Sequence, residues 1–282
     1  MLCSRNRDVI KNSNFTMRIK LKDISVTRVV EAVNRRVKDI SHSSEWNDSS
    51  LGTGNRQALE AFRNKHAGQR CFVIANGPSL ATMDLSPLKN EFTFGMNRLY
   101  LIFDQMGFVP TYHCVVNDLV IEQFANDIAA LPTKKFLNWS QRNLFRPQDD
   151  LLFLKTYLNF EDDFSYDLAK GVYSGGTVTY VTLQLAYYMG FSEVYLIGLD
   201  HNFAEKGRPN ATEVREQAED KSHFHPNYFP KGVKWQLPDL YRSELAYAKA
   251  RQAYEKDGRV IKDATVGGKC DVFEKVAYNQ LF

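Results

Sequence analysis

The chain has 282 residues, of which 44% are hydrophobic and 13% aromatic, and its formal net charge is +3. That composition supports a full hydrophobic core and excludes a disordered, fibrous or disulfide-scaffold protein. No apolar run approaches the ~18 residues of a membrane span. The start, Met1-Leu2-Cys3-Ser4-Arg5, lacks the apolar core of a signal peptide.

Cys3, Cys71, Cys114 and Cys270 are far apart and show no CxxC spacing, so they read as free thiols in a reducing compartment. A cytoplasmic location is expected, either free or peripheral at the inner face of a membrane.

Charge is unevenly spread. Residues 1–40 hold ten Lys or Arg against four acids, a local net of +6 that leaves −3 for the remainder. Val26, Val29, Val30, Val33, Val37 and Ile40 recur there at helical spacing, which predicts a basic amphipathic helix. Such a stripe over 18–40 can lie on an anionic membrane surface or pack on the protein's own core or on a second copy of the chain. Nucleic acid is not an expected partner, because no aromatic-interleaved basic motif appears and the remainder is mildly acidic. Residues 41–54 are polar and rich in Gly and Ser, the composition of a linker. The expected division is therefore an extension and linker over 1–54 and a catalytic domain over 55–282.

Within 55–282 the pattern alternates. A helix near 55–66 leads to a strand at 71–75, a strand near 92–95, a helix after Asn97 and a strand at 112–116. A helix near 118–130 and strands near 134–138 and 151–154 follow. A helix at 177–189 then feeds a strand at 194–198, and a helix near 239–257 feeds a strand at 259–262. This order predicts an α/β fold, a mostly parallel Rossmann-like nucleotide-binding sheet with helices on both faces, in a GT-A-like variant. Such sheets bind ligands at the carboxyl ends of their strands.

Polar residues cluster at those ends. The first strand runs into Asn76-Gly77-Pro78-Ser79, where Gly77 permits close backbone approach, Pro78 fixes φ and Ser79 can cap the next helical turn. The second strand runs into Asn97, the third into Asn117-Asp118, and the late strand into Asp200. Amides that both donate and accept suit ribose, base edge and phosphate together. Ser174-Gly175 precedes the helix at 177–189 and offers a second anion cradle. Helix capping and ordinary turn chemistry compete with a ligand role at each position.

These residues carry a resemblance. Asn76-Gly77-Pro78-Ser79, Asn97, Asn117 with Glu122-Gln123-Phe124, Ser174-Gly175 and Gly190-Phe191 through Asp200 resemble the ordered motifs of bacterial CMP-sialic-acid-dependent sialyltransferases of glycosyltransferase family 42. They are more similar still to the domain family named for the 6-hydroxymethylpterin pyrophosphokinase MptE, which also occurs in motility accessory factors that modify flagellin. That second similarity extends through His223-Phe224-His225-Pro226-Asn227-Tyr228-Phe229 to Asp263-Ala264-Thr265-Val266-Gly267-Gly268 and covers roughly residues 60–282.

The sialyltransferase resemblance implies a CMP-linked or other nucleotide-sugar donor held by Asn76, Gly77, Ser79, Asn97, Asn117, Ser174, Gly175 and Asp200. It implies metal-independent, inverting transfer of an acidic sugar to a glycan or glycoprotein acceptor, with His225 or His223 as base and a lid over about 203–222. Neither cofactor nor metal is expected on that reading. In place of the aromatic residues that follow Asp200's equivalent in the sialyltransferases, this chain has His201-Asn202-Phe203. The MptE resemblance implies instead transfer of diphosphate from ATP to a pterin alcohol, with Mg²⁺ on Asp200, Asp118 or the Glu161-Asp162-Asp163 cluster, although that cluster reads first as a solvated acidic loop. A nucleotide-sensing or scaffold protein is the third reading. A homo-oligomer is compatible with each.

Overall fold

In a computed structural model, residues 36, 39–157, 162–203, 207–216 and 220–282 are described. The chain divides into two compact units, residues 1–40 and 41–282. In the first, only residues 36, 39 and 40 are described, all helical, so the rest of the basic stripe lies outside the described residues.

The stretch expected as a linker is helical instead: residues 41–48 form a helix, and α1 follows at Ser50–Glu60 with Ser49 as its N-cap, accepting from the Gly52 N–H. The physical reason is Trp46, which is 1% exposed and packs edge-on against Trp139 with ring centroids 5.1 Å apart. Its Nε1 donates to the Ala169 carbonyl at 3.0 Å. An aromatic of that size contributes on the order of 1.5–3 kcal/mol by burial, enough to order polar neighbours that composition marks as loop.

The main unit is built on eight parallel strands: β1 (Arg70–Ile74), β2 (Phe92–Met96), β3 (Tyr112–Val115), β4 (Lys134–Asn138), β5 (Leu151–Leu154), β8 (Glu193–Ile197), β11 (Val260–Asp263) and β12 (Glu274–Lys275), in the order β12-β11-β8-β1-β2-β3-β4-β5. They are connected by helices that include α2 (Asp118–Ala129), α3 (Val178–Tyr188) and α4 (Leu240–Lys256). Strands such as Cys71-Phe72-Val73-Ile74 and Leu151-Leu152-Phe153-Leu154 are buried along their whole length, as a covered parallel sheet requires.

Two short pairs lie off this sheet and carry no hydrophobic alternation in the sequence. They are β6 (Thr156–Tyr157) with β7 (Val172–Tyr173), and an antiparallel ribbon of β9 (Thr212–Val214) with β10 (Lys234–Gln236). The ribbon's first strand falls inside the expected lid, whose residues 204–206 and 217–219 are outside the described residues. The helix expected after Asn97 is a short 3₁₀ segment, Leu99–Ile102, and one α-turn, Phe103–Met106.

Strand order fixes where a ligand crevice can lie. From β1 the sheet grows through β2, β3, β4 and β5 on one side and through β8, β11 and β12 on the other. The reversal between β1 and β8 is a topological switch point, and the crevice of such a sheet opens beyond the carboxyl ends of those two strands.

Candidate active site

The two strands at the switch point are locked together past their ends. The Ala75 N–H donates to the Ile197 carbonyl and the Gly77 N–H to the Gly198 carbonyl, both at 2.8 Å. Pro78 then opens a 3₁₀ helix, Pro78–Thr82, with Gly77 at its cap position. Ser79 is thus inside the turn and does not cap it, because a proline suits the first helical position and moves the boundary one residue back. The Ser79 N–H and hydroxyl both donate to the Asp200 carboxylate, at 3.0 and 2.7 Å. A Cβ on Gly77 would come within 1.8 Å of Asp200 Oδ2. The glycine accommodates this internal carboxylate, so the N–H groups of residues 77 and 79 are spent within the chain and not offered to an anion.

Acceptors are what this edge leaves open. Among the described residues, the side-chain oxygens of Asn76 and Asn97 are buried without a hydrogen-bond partner. Asn97 follows β2 in the left-handed conformation, φ 47°. Its N–H donates to the Cys114 carbonyl at 3.1 Å, and its carbonyl accepts from His113 Nε2 at 2.8 Å. Its side-chain oxygen is left unused. Buried polar atoms in this state cost stability, and these two oxygens, on neighbouring strand ends, are acceptors that the chain itself leaves open.

A strap formed by residues 220–229 crosses these ends. The Phe224 N–H donates to the Asn76 carbonyl at 3.1 Å. The buried Arg98 guanidinium donates to the carbonyls of Asn227, at 3.0 Å, and Tyr228, and lies 3.9 Å over the Phe124 ring. In this strap His223 Nδ1 is 2.9 Å from the Asp220 carboxylate, and its ring stacks on Tyr228 at 4.0 Å with 4° between the planes. Burial pushes the Asp220 carboxyl up, but the hydrogen bond and charge of His223, the Ser222 N–H and Arg215 outweigh it and hold the group below the usual carboxylate range.

The hydrogen-bond network assigns the tautomers. A carboxylate only accepts, so Nδ1 of His223 carries a proton, and in the neutral ring Nε2 keeps its lone pair. His225 is arranged the other way: its Nδ1 accepts the Asn227 N–H at 3.1 Å, so in the neutral ring the proton sits on Nε2.

The other expected ligand residues are engaged internally. Asn117 caps α2, its side chain accepting the Val120 N–H at 3.3 Å. Gly175 donates its N–H to Asp162 at 2.9 Å, and the Ser174 hydroxyl accepts from Arg242 at 3.1 Å. Asp162 is itself paired with Arg242 through Nε at 2.6 Å and Nη2 at 3.0 Å, so this acidic residue closes the turn before α3 and is not a solvated loop position. Asp118 accepts from Asn138 and Ser140, both at 2.8 Å. Asp200, Asp118 and Asp162 thus serve the chain's own donors, Glu161 lies outside the described residues, and among the described residues no three His, Cys, Asp or Glu side chains gather into a metal-binding group. Past Asp200, His201 has φ 54° and its Nε2 is 2.9 Å from Glu244 on α4. Asp220 and Arg242 were not singled out by the motifs; the Asp-x-x-His spacing of Asp220 and His223 was the one local signal available.

No helix of the described residues is long and apolar enough to cross a membrane. In structure the chain is similar to a MAf glycosyltransferase from Magnetospirillum magneticum AMB-1, with a TM-score of 0.48 and 14% identity over 82% of this chain. It spans 39% of that enzyme's length. No curated protein matches. A family model described as 6-hydroxymethylpterin diphosphokinase MptE-like matches residues 49–206, more than half of the chain and inclusive of Asn76, Asn97, Asn117, Ser174 and Asp200. The His223 strap and Asp263–Gly268 lie beyond the matched residues. On that match the chain belongs to the MptE-like family.

Proposed function

We propose that this chain is a glycosyltransferase that moves an acidic sugar from a CMP-linked or other nucleotide donor to a hydroxyl of a glycan or glycoprotein. The donor lies over the carboxyl ends of β1 and β2, beside the switch point of β1 and β8, where the Asn76 and Asn97 oxygens accept from its hydroxyls or base. The observation that carries the reading is the Asp220–His223 pair in a strap bonded to Asn76, since a histidine held in one tautomer by a carboxylate is a general base in waiting.

In the reaction, Nε2 of His223 takes the acceptor hydroxyl proton as that oxygen bonds to the anomeric carbon. The bond from that carbon to the donor phosphate breaks with its electrons going to the phosphate oxygen, and the configuration inverts. Asp220 stabilises the imidazolium that forms. His223 replaces His225 as the preferred base because, with both rings neutral, its Nε2 carries no proton whereas that of His225 does.

The family's description favours a second reading, diphosphate transfer from ATP to a pterin alcohol. Thermal unfolding with CMP, UDP, GDP and ATP, each with and without Mg²⁺, separates the two, because a ligand that binds only the folded state raises its stability. A rise with CMP independent of Mg²⁺, followed by release of CMP from a CMP-linked acidic sugar, is the expected outcome. A rise confined to ATP with Mg²⁺ establishes the diphosphokinase reading, and no rise with any nucleotide leaves a scaffold role.

A further inference from the structure

His113 lies in the middle of β3, is fully buried and touches no open surface, yet it is polar. Burial pushes its pKa down to about 4, so the ring is neutral and carries one proton. That proton sits on Nε2, since Nε2 faces the Asn97 carbonyl at 2.8 Å and a carbonyl only accepts. Nδ1 is left as a buried acceptor without a partner.

An apolar residue would avoid both costs in this interior, so something other than packing accounts for the imidazole. Its partner supplies the reason: Asn97 holds φ 47°, a conformation that is strained for a residue with a side chain, and strain at such positions persists only where surrounding contacts impose it. Gly95 completes the arrangement. It pairs with His113 across β2 and β3, and a Cβ there would lie 2.8 Å from Nδ1, so glycine is what lets the ring reach across to the turn.

We propose that His113 is a positioning residue for the ligand site, its Nε2–H fixing the Asn97 carbonyl so that the turn after β2 presents the unpartnered Asn97 amide oxygen to the donor. This rests on the reading of Asn97 as a ligand contact, and the test separates the two. The probe is CMP, or ATP with Mg²⁺ if the nucleotide panel selects it, titrated calorimetrically into the full chain.

Asn97→Gly keeps the left-handed turn and removes the amide, and is expected to weaken binding at least tenfold. His113→Phe removes the donor and is expected to weaken binding about tenfold on its own but not at all in the Asn97→Gly background. His113→Gln, whose amide N–H reaches where Nε2 does, restores binding, whereas the shorter His113→Asn does not. This last pair decides the matter if the Phe variant fails to fold.

Equal losses from His113→Phe in both backgrounds, or Gln and Asn variants that bind alike, overturn the positioning role. Wild-type affinity in Asn97→Gly overturns the ligand site at Asn97 itself.

Discussion

The carboxyl rim of the sheet holds two kinds of Asn and Ser. At β1 and β2, Asn76 and Asn97 keep buried oxygens without partners. At β3 and at the start of α3, Asn117, Ser174 and Gly175 spend their polar atoms on Val120, Arg242 and Asp162. Both groups look alike in the sequence, since an Asn after a strand reads equally as cap and as ligand contact. What separates them is whether the next residues supply a donor. Asn117 is followed by an α-helix whose first N–H groups need an acceptor, whereas Asn76 is followed by Pro78, which has no N–H to offer, and Asn97 by a turn its own side chain does not cap. The comparison predicts that substitutions at the open edge change binding or turnover and those at the closed edge change stability.

The largest effect is expected at the base. His223→Ala is expected to lower turnover by ~10²–10⁴-fold with donor affinity unchanged, and to remove the acidic limb from the pH profile of kcat/KM. His225→Ala is expected to leave both within a few-fold. A loss of turnover in His225→Ala with a normal His223→Ala rate would return the assignment to His225.

Next comes the dependence of folding on pH. His113 is protonated in the unfolded chain below its ordinary value of 6.5 but in the folded chain only near 4. Between those values the unfolded state binds more protons, so stability rises with pH across the window and falls by about 3 kcal/mol as acid is added from 6.5 to 4. His66, lowered mainly by burial between Phe92 and Phe191, acts in the same direction. Thermal unfolding across that range in His113→Gln is expected to show a flatter slope. An unchanged slope would mean that His113 is charged in the folded protein.

Smaller is the loss at the open edge itself. Asn76→Ala is expected to weaken nucleotide binding by ~1–3 kcal/mol, read by calorimetry, without lowering the unfolding temperature, because the oxygen it removes has no partner in the chain. Ser79→Ala, three residues on, is expected to do the reverse, since its hydroxyl holds Asp200. If both variants lower stability alone, the open edge is a packing defect and not a ligand site.

Most of the fold was legible because buried parallel strands leave continuous apolar runs, Cys71-Phe72-Val73-Ile74 and Val194-Tyr195-Leu196-Ile197 among them, and the strand ends then locate the crevice. The segment 41–54 was misread because its order comes from partners far away in sequence, Trp139 against Trp46 and Arg142 against Glu45, which no local composition records. The ribbon of β9 and β10 was missed for a related reason: Thr212-Glu213-Val214 is exposed throughout and has no buried face to print a period of two. At the site, residue types were readable and their partners were not. Asp162 with Arg242 and Asp200 with Ser79 join residues separated by 80 and 121 positions, so an expected anion cradle could not be seen to be filled by the chain's own carboxylates.

The smallest effect is expected at the closed edge and is the most discriminating of the set. Asn117 accepts the Val120 N–H as the cap of α2, so Asn117→Ala is expected to cost about 1 kcal/mol of stability, the usual loss of a side-chain cap. Asn117→Asp keeps the acceptor at a helix N-terminus that favours negative charge, and is expected to be neutral or slightly stabilising. Neither is expected to change nucleotide affinity. The Asp variant is the sharper probe: were Asn117 in contact with the donor, a carboxylate beside the phosphate would repel it and weaken binding while stability held. An affinity loss in Asn117→Asp at unchanged unfolding temperature would therefore move β3 to the open side of the comparison and widen the site from two strand ends to three.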